Sequence, residues 1–444
     1  MKYHFTILFL LAAMLLADTN AIAQSRRERK ERERRERERE EYFRRHPDRR
    51  PDTPSPREES RPEAPRPKPK KRLEVDYPAS VKREVYRIDV LIPLYLDELV
   101  KNGKPVYKGK MPDKAVPGME FYQGVKLAAD TLEFKGYKLD IYVHDITDPK
   151  QSAKALINEG KLKSTDLIIG AVQSGDIPEL AAFAKRNDIN FISAFSPADA
   201  GVTNNPWFTL VQPRLQTHCE KIMKKVAEKY HKEQITICYR NSVNSDENAY
   251  GYLTNILEEN DLRKLNCNTA PDSAALAKIF TKEEVNVIIM PIVEVAYAES
   301  LLKRLYKFFP DLKFAVYGMP SWKNMTALRK PDAFPNVAVY YTTPFYYETS
   351  TNNSQLLAMI YQSKFNGRPG EMTYRGYELV YWYATLLREY GTVFNPYIKN
   401  NDNAPFTRFE IKTEWDKRKE EVLYNENQYL YMYRYQSSSY MIEK

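Results

Sequence analysis

The feature that most constrains the fold is a regular alternation of strand-like and helix-like segments that begins near residue 85. Apolar runs such as "YRIDVLIPLY", "KLDIYVHDI", "DLIIGA" and "INFISAF" have the composition of buried strands. The segments between them, such as "FYQGVKLAADTLEFKG" and "DIPELAAFAKRND", have the apolar spacing of helices. Strands that alternate with helices predict mainly parallel sheets flanked by helices, which is an α/β fold.

The alternation occurs twice along the chain. After residues 212–214 a new helical segment, "LQTHCEKIMKKVAEKYH", is followed by the strand-like runs "QITICYR", "NVIIMPI", "KFAVYGMP" and "NVAVYYTTP". Two such runs predict two lobes, each with its own sheet. The tyrosine-rich segment "YNENQYLYMYRYQ" alternates like a pair of strands, and we assign it to the second lobe.

The first residues have the pattern of a secretory signal peptide. Lys2 precedes the apolar run Phe5–Leu16, and Ala21-Ile22-Ala23 forms an Ala-x-Ala cleavage site. We expect export to the periplasm with cleavage near Ala23, so residues 1–23 would be removed; a membrane anchor is the alternative. No stretch of about 20 apolar residues follows, so we expect no transmembrane segment.

The net charge is concentrated in residues 24–83. This segment holds 22 Lys and Arg against 14 Asp and Glu, a net +8 out of the whole chain's +9. A nucleic-acid-binding domain is therefore not indicated. Residues 25–46 alternate Arg and Glu, and residues 47–71 are rich in Pro, so we predict a disordered linker. It would be a soluble tether or a basic arm on anionic envelope polymers or lipid headgroups.

Few residues suggest catalysis or a cofactor. The chain contains no GxSxG, HExxH, CxxC or phosphate-binding glycine loop, so we expect no enzyme, no cofactor and no metal. The three cysteines, Cys219, Cys238 and Cys267, are too few for a disulfide framework. A Cys238–Cys267 bridge remains open at this stage, because both residues fall in neighbouring strand-like runs.

Polar breaks follow two consecutive predicted strands of the first lobe. Gln173-Ser174-Gly175 comes after "DLIIGA", and Ala194-Phe195-Ser196 ends "INFISAF". Ligands of open parallel sheets sit outside the carboxyl ends of the strands. Hydroxyls and helix N-termini at such ends can bind a carboxylate. The alternative is that these residues only cap the helices that follow.

Several segments, in this order, resemble the type I periplasmic binding proteins, specifically the leucine/isoleucine/valine-binding family. They are "FYQGVKLAADTL", "HDITDPKQSAKAL", "NAYGYLTNIL" and "RGYELVYWYATLLREYG", and the resemblance covers roughly residues 85–435. It implies two lobes joined by three crossovers, near residues 209–213, 340–344 and 395–409, with a ligand in the cleft. The lobes would comprise residues 84–212 plus 341–400 and residues 213–340 plus 401–444.

The resemblance also implies which residues bind a ligand. The strand ends would hold its carboxylate, and Tyr250 matches the family's aromatic residue in the second lobe. Amino-acid-binding members place an acid after the last strand of that lobe, but this chain has "YGMPSWKN" there. Trp322 could stack on the ligand, and Glu294 could supply the carboxylate. The complete set of predicted ligand-binding residues is Tyr95, Gln173, Ser174, Ala194, Phe195, Ser196, Tyr250, Glu294 and Trp322.

Two functions are consistent with these features. The first is an exported solute-binding protein that captures an amino acid or similar small polar ligand and delivers it to a membrane permease. The second is a regulatory or interaction module of the cell envelope that transports nothing and has an envelope protein as its partner, similar to the penicillin-binding-protein activators. The strand-end serines favour the first, whereas the missing acid and the charged linker favour the second.

Overall fold

The computed structural model describes residues 74–256, 262–330, 333–399, 404–416, 418–437 and 439–443. The predicted signal peptide and residues 24–73 of the predicted linker lie outside this part. The described residues fall into two units. The smaller holds residues 74–77 and 349–369, and the larger holds the described residues of 78–348 and 370–443.

The first sheet is built by the first half of the larger unit. Its strands pair in parallel in the spatial order β7-β6-β5-β1-β4, while β2 and β3 form a separate small hairpin. The strands are β1 Tyr86–Ile92, β2 Val100–Lys101, β3 Lys104–Pro105, β4 Leu139–Asp145, β5 Leu167–Gly170, β6 Asn190–Ser193 and β7 Phe208–Leu210.

Helices connect these strands, as the alternation predicts. Helix α4, Ile177–Arg186, shows why they form, because Pro178 occupies its first turn and Leu180 and Ala184 lie on its buried face. Lys185 and Arg186 end it, where positive charge is favourable next to the helix dipole. The helices are α1 Leu96–Leu99, α2 Val116–Phe134, α3 Ala153–Asn158 and α4 Ile177–Arg186.

The second sheet repeats this arrangement. Its parallel strands have the order β12-β11-β10-β8-β9, and a short 3-10 helix, Pro320–Asn324, follows β11. The strands are β8 Ile235–Tyr239, β9 Arg263–Asn266, β10 Asn286–Ile289, β11 Phe314–Tyr317 and β12 Val337–Thr343. The helices are α5 Leu215–Lys229, α6 Asn244–Thr254, α7 Ser273–Ala277 and α8 Val295–Phe308.

Two further helices follow β12. Helix α9, Asn352–Phe365, belongs to the smaller unit; the Thr351 side chain caps its start and Asn366, at φ 53°, ends it. Helix α10, Glu371–Tyr390, packs along α2 at very short range. A Cβ on Gly124 or Gly376 would meet backbone atoms of the opposite helix. This packing places α10 beside the helix that follows the first strands of the first sheet.

The end of the chain corrects one prediction. Strands β13 Ile411–Asp416 and β14 Glu421–Asn427 join the first sheet beside β7, whereas β15 Tyr431–Gln436 and β16 Ser439–Glu443 join the second beside β12. The third crossing between the sheets therefore lies at residues 428–430. The prediction of residues 395–409 was wrong, and so was the assignment of all of residues 401–444 to the second lobe.

Buried polar side chains explain why β14 belongs to the first sheet. Glu426 is fully buried and accepts hydrogen bonds from the backbone N–H of Arg214 at 2.9 Å, Arg214 Nε at 2.7 Å and Thr217 Oγ1 at 2.5 Å. Asn425 donates to the carbonyl of Pro206 at 2.8 Å. These bonds tie the third crossing to the first, which lies between Leu210 and Leu215. Alternation of apolar and polar residues does not reveal such a pairing.

The predicted α/β architecture of two mainly parallel sheets flanked by helices is confirmed. All three cysteines are buried free thiols, so the Cys238–Cys267 bridge is not formed. Within the described ranges, no helix is long and apolar enough to cross a membrane.

Candidate functional site

The two polar loops of the first sheet follow neighbouring strands. Gly170 at the end of β5 lies in register with Ser193 at the end of β6, so residues 173–175 and 194–196 emerge side by side at the carboxyl-terminal end of the parallel strands. Gln173 and Ser174 are exposed there. The carboxyl-terminal end of these strands therefore carries an amide and a hydroxyl that solvent can reach.

The second of these loops is more enclosed. Ala194 is fully buried and Ser196 is 8% exposed; its Oγ accepts the backbone N–H of Ala198 at 3.2 Å. The Phe195 ring meets Phe121 of α2 edge-on, with centroids 5.1 Å apart. Ser196 thus stabilises its own turn and caps no helix, because the described residues 194–207 contain none, and Phe195 packs partly into the lobe.

Tyr95 lies at the carboxyl end of β1 in the left-handed region, with φ 57°. Its backbone N–H donates to Thr147 Oγ1 at 3.0 Å, and the Lys114 ammonium lies 4.6 Å from its ring centroid. The residue is half-buried. Tyr95 lies at the same carboxyl-terminal end of the sheet, because β1 pairs directly and in parallel with β5.

In the second lobe, Tyr250 and Glu294 also follow parallel strands. Tyr250 is half-buried in α6, with its ring centroid 6.1 Å from that of Tyr239. Glu294 is exposed at the start of α8, but its Oε2 already accepts from Arg240 Nη2 at 2.9 Å. Arg240 also binds the buried Asp246 through Nε at 2.5 Å. The carboxylate of Glu294 is therefore engaged within the lobe.

Trp322 does not have the role predicted for it. Its side chain is fully buried in the core of the second lobe, and its Nε1 donates to the carbonyl of Ile292 at 2.8 Å. Gly318 lies directly against the indole, where a Cβ would come within 2.2 Å of ring atoms. Because the ring faces the interior, it offers no surface for stacking on a ligand. Its burial and its hydrogen bond fix the 3-10 helix to the core of the second lobe.

The neighbouring residue, Lys323, makes the contact that sequence reasoning missed. Its Nζ lies 3.8 Å from Oε1 of Glu371, the first residue of α10. The lysine follows a strand of the second sheet, whereas α10 packs on α2 over the first sheet. This ion pair therefore joins the two lobes.

Arg375, one helical turn after Glu371, completes a charge cluster of Lys323, Glu371 and Arg375. Its side chain is only 5% exposed, ion-pairs with the Glu371 carboxylate and lies over the ring of Phe345 at 3.5 Å. Burial alone would raise the pKa of Glu371, but Arg375 and Lys323 outweigh it and hold that pKa below its usual value. Glu371 is therefore ionised and shared between two cations.

Two groups border this cluster. Burial raises the pKa of Glu120, in the first turns of α2, and a backbone N–H of Met372 donates to its carboxylate. His218 is buried with a 2.8 Å hydrogen bond between Nδ1 and Thr342 Oγ1, and burial lowers its pKa to about 3. The imidazole is therefore neutral near neutral pH and adds no charge beside Lys323.

A sequence signal for the cluster was present but weak. Glu371 and Arg375 have the i, i+4 spacing of a helical ion pair, and Lys323 lies in the loop "YGMPSWKN" that follows β11. Only the packing of α10 onto α2 brings these two segments together. In the part of the chain that the structure describes, no group of three or more His, Cys, Asp or Glu could hold a metal ion.

Comparisons with known proteins agree with this architecture. A branched-chain amino acid ABC transporter periplasmic ligand-binding protein from Burkholderia xenovorans is 15% identical, with a TM-score of 0.54 over 81% of this chain and 94% of that one. An ABC transporter substrate-binding protein from Desulfitobacterium hafniense is 12% identical, with a TM-score of 0.51 over 81% and 100%. These likenesses show the fold.

A third similar structure is the C-domain of LpoA from Haemophilus influenzae, described as a regulator of PBP1A. It is 14% identical, with a TM-score of 0.51 over 81% of this chain and 100% of that one. No curated protein sequence matched the chain. The family model for periplasmic binding proteins matches residues 113–397, which is more than half of the 444 residues. The chain belongs to the periplasmic binding protein family.

Proposed function

We propose that this protein is an exported solute-binding protein that captures a small polar ligand between its two lobes. The observation that carries the proposal is the pair of polar loops, residues 173–175 and 194–196, at adjoining carboxyl ends of parallel strands. Ligands of such sheets bind outside the carboxyl ends of the strands. Ser174 offers a hydroxyl to a ligand carboxylate, and Gln173 offers an amide, because both side chains are exposed.

The second lobe contributes the opposite wall of the site. Tyr250 follows β8 and the Lys323 loop follows β11, so both lie beyond strand ends of the second sheet. Only a ligand that touches both lobes can shift their open–closed equilibrium, because a shift requires different affinities for the two states. Ser174 on one side and Tyr250 or Lys323 on the other meet this requirement.

The remaining parts of the proposal concern the cell. Export would follow from the pattern in residues 1–23, with cleavage near Ala23 and residence in the periplasm. Residues 24–83 would act as a linker that leaves the lobes free to bind. A membrane permease would receive the ligand, and the protein would carry out no catalysis.

A second candidate is a non-transport regulatory module of the cell envelope. The observation that favours it is the ion pair between Lys323 and Glu371, which joins the lobes through the protein's own side chains. The similarity to the LpoA C-domain supports the same candidate at the level of fold. In such a protein the lobes would form a fixed surface for a partner protein.

Native mass spectrometry of the protein, purified without added ligand, tests the first candidate. We expect a co-purifying small molecule that denaturing extraction releases and that raises the melting temperature when added back. If neither a bound molecule nor any stabilising compound from a broad metabolite panel is found, the solute-binding proposal fails. The regulatory candidate then takes its place.

A further inference from the structure

The carboxylate of Glu371 lies between one cation from each lobe. Lys323 belongs to the second lobe, with its Nζ at 3.8 Å, and Arg375 belongs to α10 on the first lobe. A carboxylate bracketed by an ammonium and a guanidinium is the arrangement with which proteins recognise anionic ligands. Here the protein itself supplies the anion.

The three side chains differ in their access to water. Arg375 is almost fully buried, and its Nε has no hydrogen-bond partner within the described ranges. Lys323 and Glu371 are each about 40% exposed, at 39% and 40%. The guanidinium therefore requires a permanent negative partner, because an uncompensated buried charge is costly. The contact between Lys323 and Glu371 is the weak one, since both groups can be hydrated.

The charge of the second-lobe surface favours an anionic ligand over an ammonium. Glu294 would be the acceptor for a ligand ammonium, but it is already paired with Arg240. The loop after β11 presents Lys323, so this lobe offers a cation where an amino-acid site needs an acid. On the first lobe, the carboxylate of Glu120 accepts a hydrogen bond from the backbone N–H of Met372. Glu294, Glu371 and Glu120 thus each have a partner within the protein already, whereas the exposed Lys323 can pair with a second carboxylate.

We propose that the cleft takes a dicarboxylate, and that Glu371 occupies the place of one of its carboxylates when no ligand is bound. This inference rests on the proposed solute-binding function and names its substrate class. One ligand carboxylate binds at the strand ends of the first sheet near Ser174. The other displaces Glu371 from Lys323, while Glu371 stays paired with Arg375. The ligand then replaces the internal contact between the lobes and stabilises the closed form.

The test measures binding to the full mature protein by isothermal titration calorimetry and thermal shift. The probes are linear dicarboxylates of four to six carbons, the monocarboxylates of equal length, leucine and valine. The variants are Lys323→Gln, Lys323→Arg and Glu371→Gln. The matched control is Lys303→Gln, which removes an exposed lysine of the same lobe that pairs with Glu299 on α8.

We expect a dicarboxylate to bind at least tenfold more tightly than its monocarboxylate. Lys323→Gln should weaken this binding tenfold or more, Lys323→Arg should restore most of it, and Lys303→Gln should leave it unchanged. Glu371→Gln should strengthen it several-fold, because the internal competitor loses its charge. If Glu371→Gln proves too unstable to purify, the two Lys323 variants still decide the question, since that side chain is exposed.

Two outcomes overturn the inference alone. One is tight binding of leucine, valine or a monocarboxylate that is unchanged in Lys323→Gln. The other is a dicarboxylate that binds equally well to the wild type and to Lys323→Gln. Absence of binding by every compound, including those of the broad metabolite panel, would instead remove the solute-binding function on which the inference rests.

Discussion

The loops that follow the parallel strands differ between the two sheets. In the first sheet, Gln173 and Ser174 point into solvent. In the second, the side chains are bound within the protein: Trp322 is in the core, Ser321 Oγ donates to the carbonyl of Val293 at 2.7 Å, and Glu294 is paired with Arg240. These side chains beyond the strand ends thus differ between the sheets in whether the protein itself binds them.

The difference predicts which of these side chains contribute to stability and which are available to a ligand. A side chain that already has a buried partner contributes to folding, and removing it costs stability. An exposed polar side chain contributes little to folding, so it can bind a ligand without loss. We therefore expect substitutions of Trp322 and Ser321 to lower stability, and substitutions of the exposed Ser174 and Lys323 to lower ligand affinity.

The largest effect should come from Trp322→Ala. The indole is fully buried and fills the space above Gly318, so its removal leaves a cavity and an unpaired carbonyl at Ile292. Such substitutions cost about 3–5 kcal/mol. Urea unfolding followed by circular dichroism measures the loss.

The matched substitution in the first lobe is Phe195→Ala. Phe195 is half-buried, and its aromatic contact with Phe121 contributes about 0.5–1.5 kcal/mol beyond the buried area. We expect a loss well below that of Trp322→Ala. Equal losses in the two variants would contradict the division of tasks between the lobes.

The next effect depends on pH and concerns Glu378, a buried acid on the first-lobe side. Burial raises its pKa to about 7, although the backbone N–H groups of Phe406 and Thr407 donate to it at 2.8 and 2.5 Å. In the unfolded chain its pKa is 4.5. The folded state therefore binds more protons between these values, and stability falls as pH rises from about 4.5 to 7, then stays level.

The size of this fall is about 3 kcal/mol, from 1.36 kcal/mol for each pKa unit. In Glu378→Gln this part of the pH dependence should disappear, because an amide does not ionise in this range. The unfolding free energy of both proteins is measured in urea at pH 5, 6, 7 and 8. Parallel curves for the two proteins would show that Glu378 does not carry the effect.

The sequence predicts the fold well because the signal is local. Periodicity identifies strands and helices such as "DLIIGA" and "DIPELAAFAKRND" one at a time, and their alternation then implies parallel sheets. The final crossing was misplaced because β14 is chosen by buried polar bonds around Glu426, which no periodicity encodes. Long-range pairing of polar groups is visible only after the chain has folded.

The candidate site was less predictable for the same reason. Ser174 and Gln173 could be proposed, and their exposure expected, because strand ends can be read from local pattern. Trp322 was misjudged because an aromatic residue in a loop has the same sequence signature whether it faces solvent or the core. Lys323 was overlooked because its partner, Glu371, lies 48 positions further along the chain.

Ser174→Ala should separate affinity from stability. Loss of a hydrogen bond to a charged carboxylate costs about 1.5–3 kcal/mol, which is roughly a tenfold to hundredfold loss of affinity. Stability should change by less than about 0.5 kcal/mol, because the side chain is exposed. The control is Ser300→Ala in α8, which loses a 2.7 Å hydrogen bond to the carbonyl of Tyr297 and should leave affinity unchanged. Unchanged ligand affinity in Ser174→Ala would move the site away from this loop.

The smallest effect should come from Glu294→Gln. The Glu294 side chain is 58% exposed and pairs with the buried Arg240, whose other partner, Asp246, remains in place. Because the Glu294 end of the pair is hydrated and Asp246 still neutralises Arg240, the loss of stability should be small, about 1 kcal/mol or less. Ligand affinity should change by less than about threefold, since a carboxylate neutralised by Arg240 is a poor partner for a ligand ammonium. Calorimetry with the ligand found by native mass spectrometry measures this change beside that of Ser174→Ala. A collapse of affinity in Glu294→Gln would mean that Glu294 itself binds ligand charge despite its pairing with Arg240, and the second lobe would then hold a ligand ammonium.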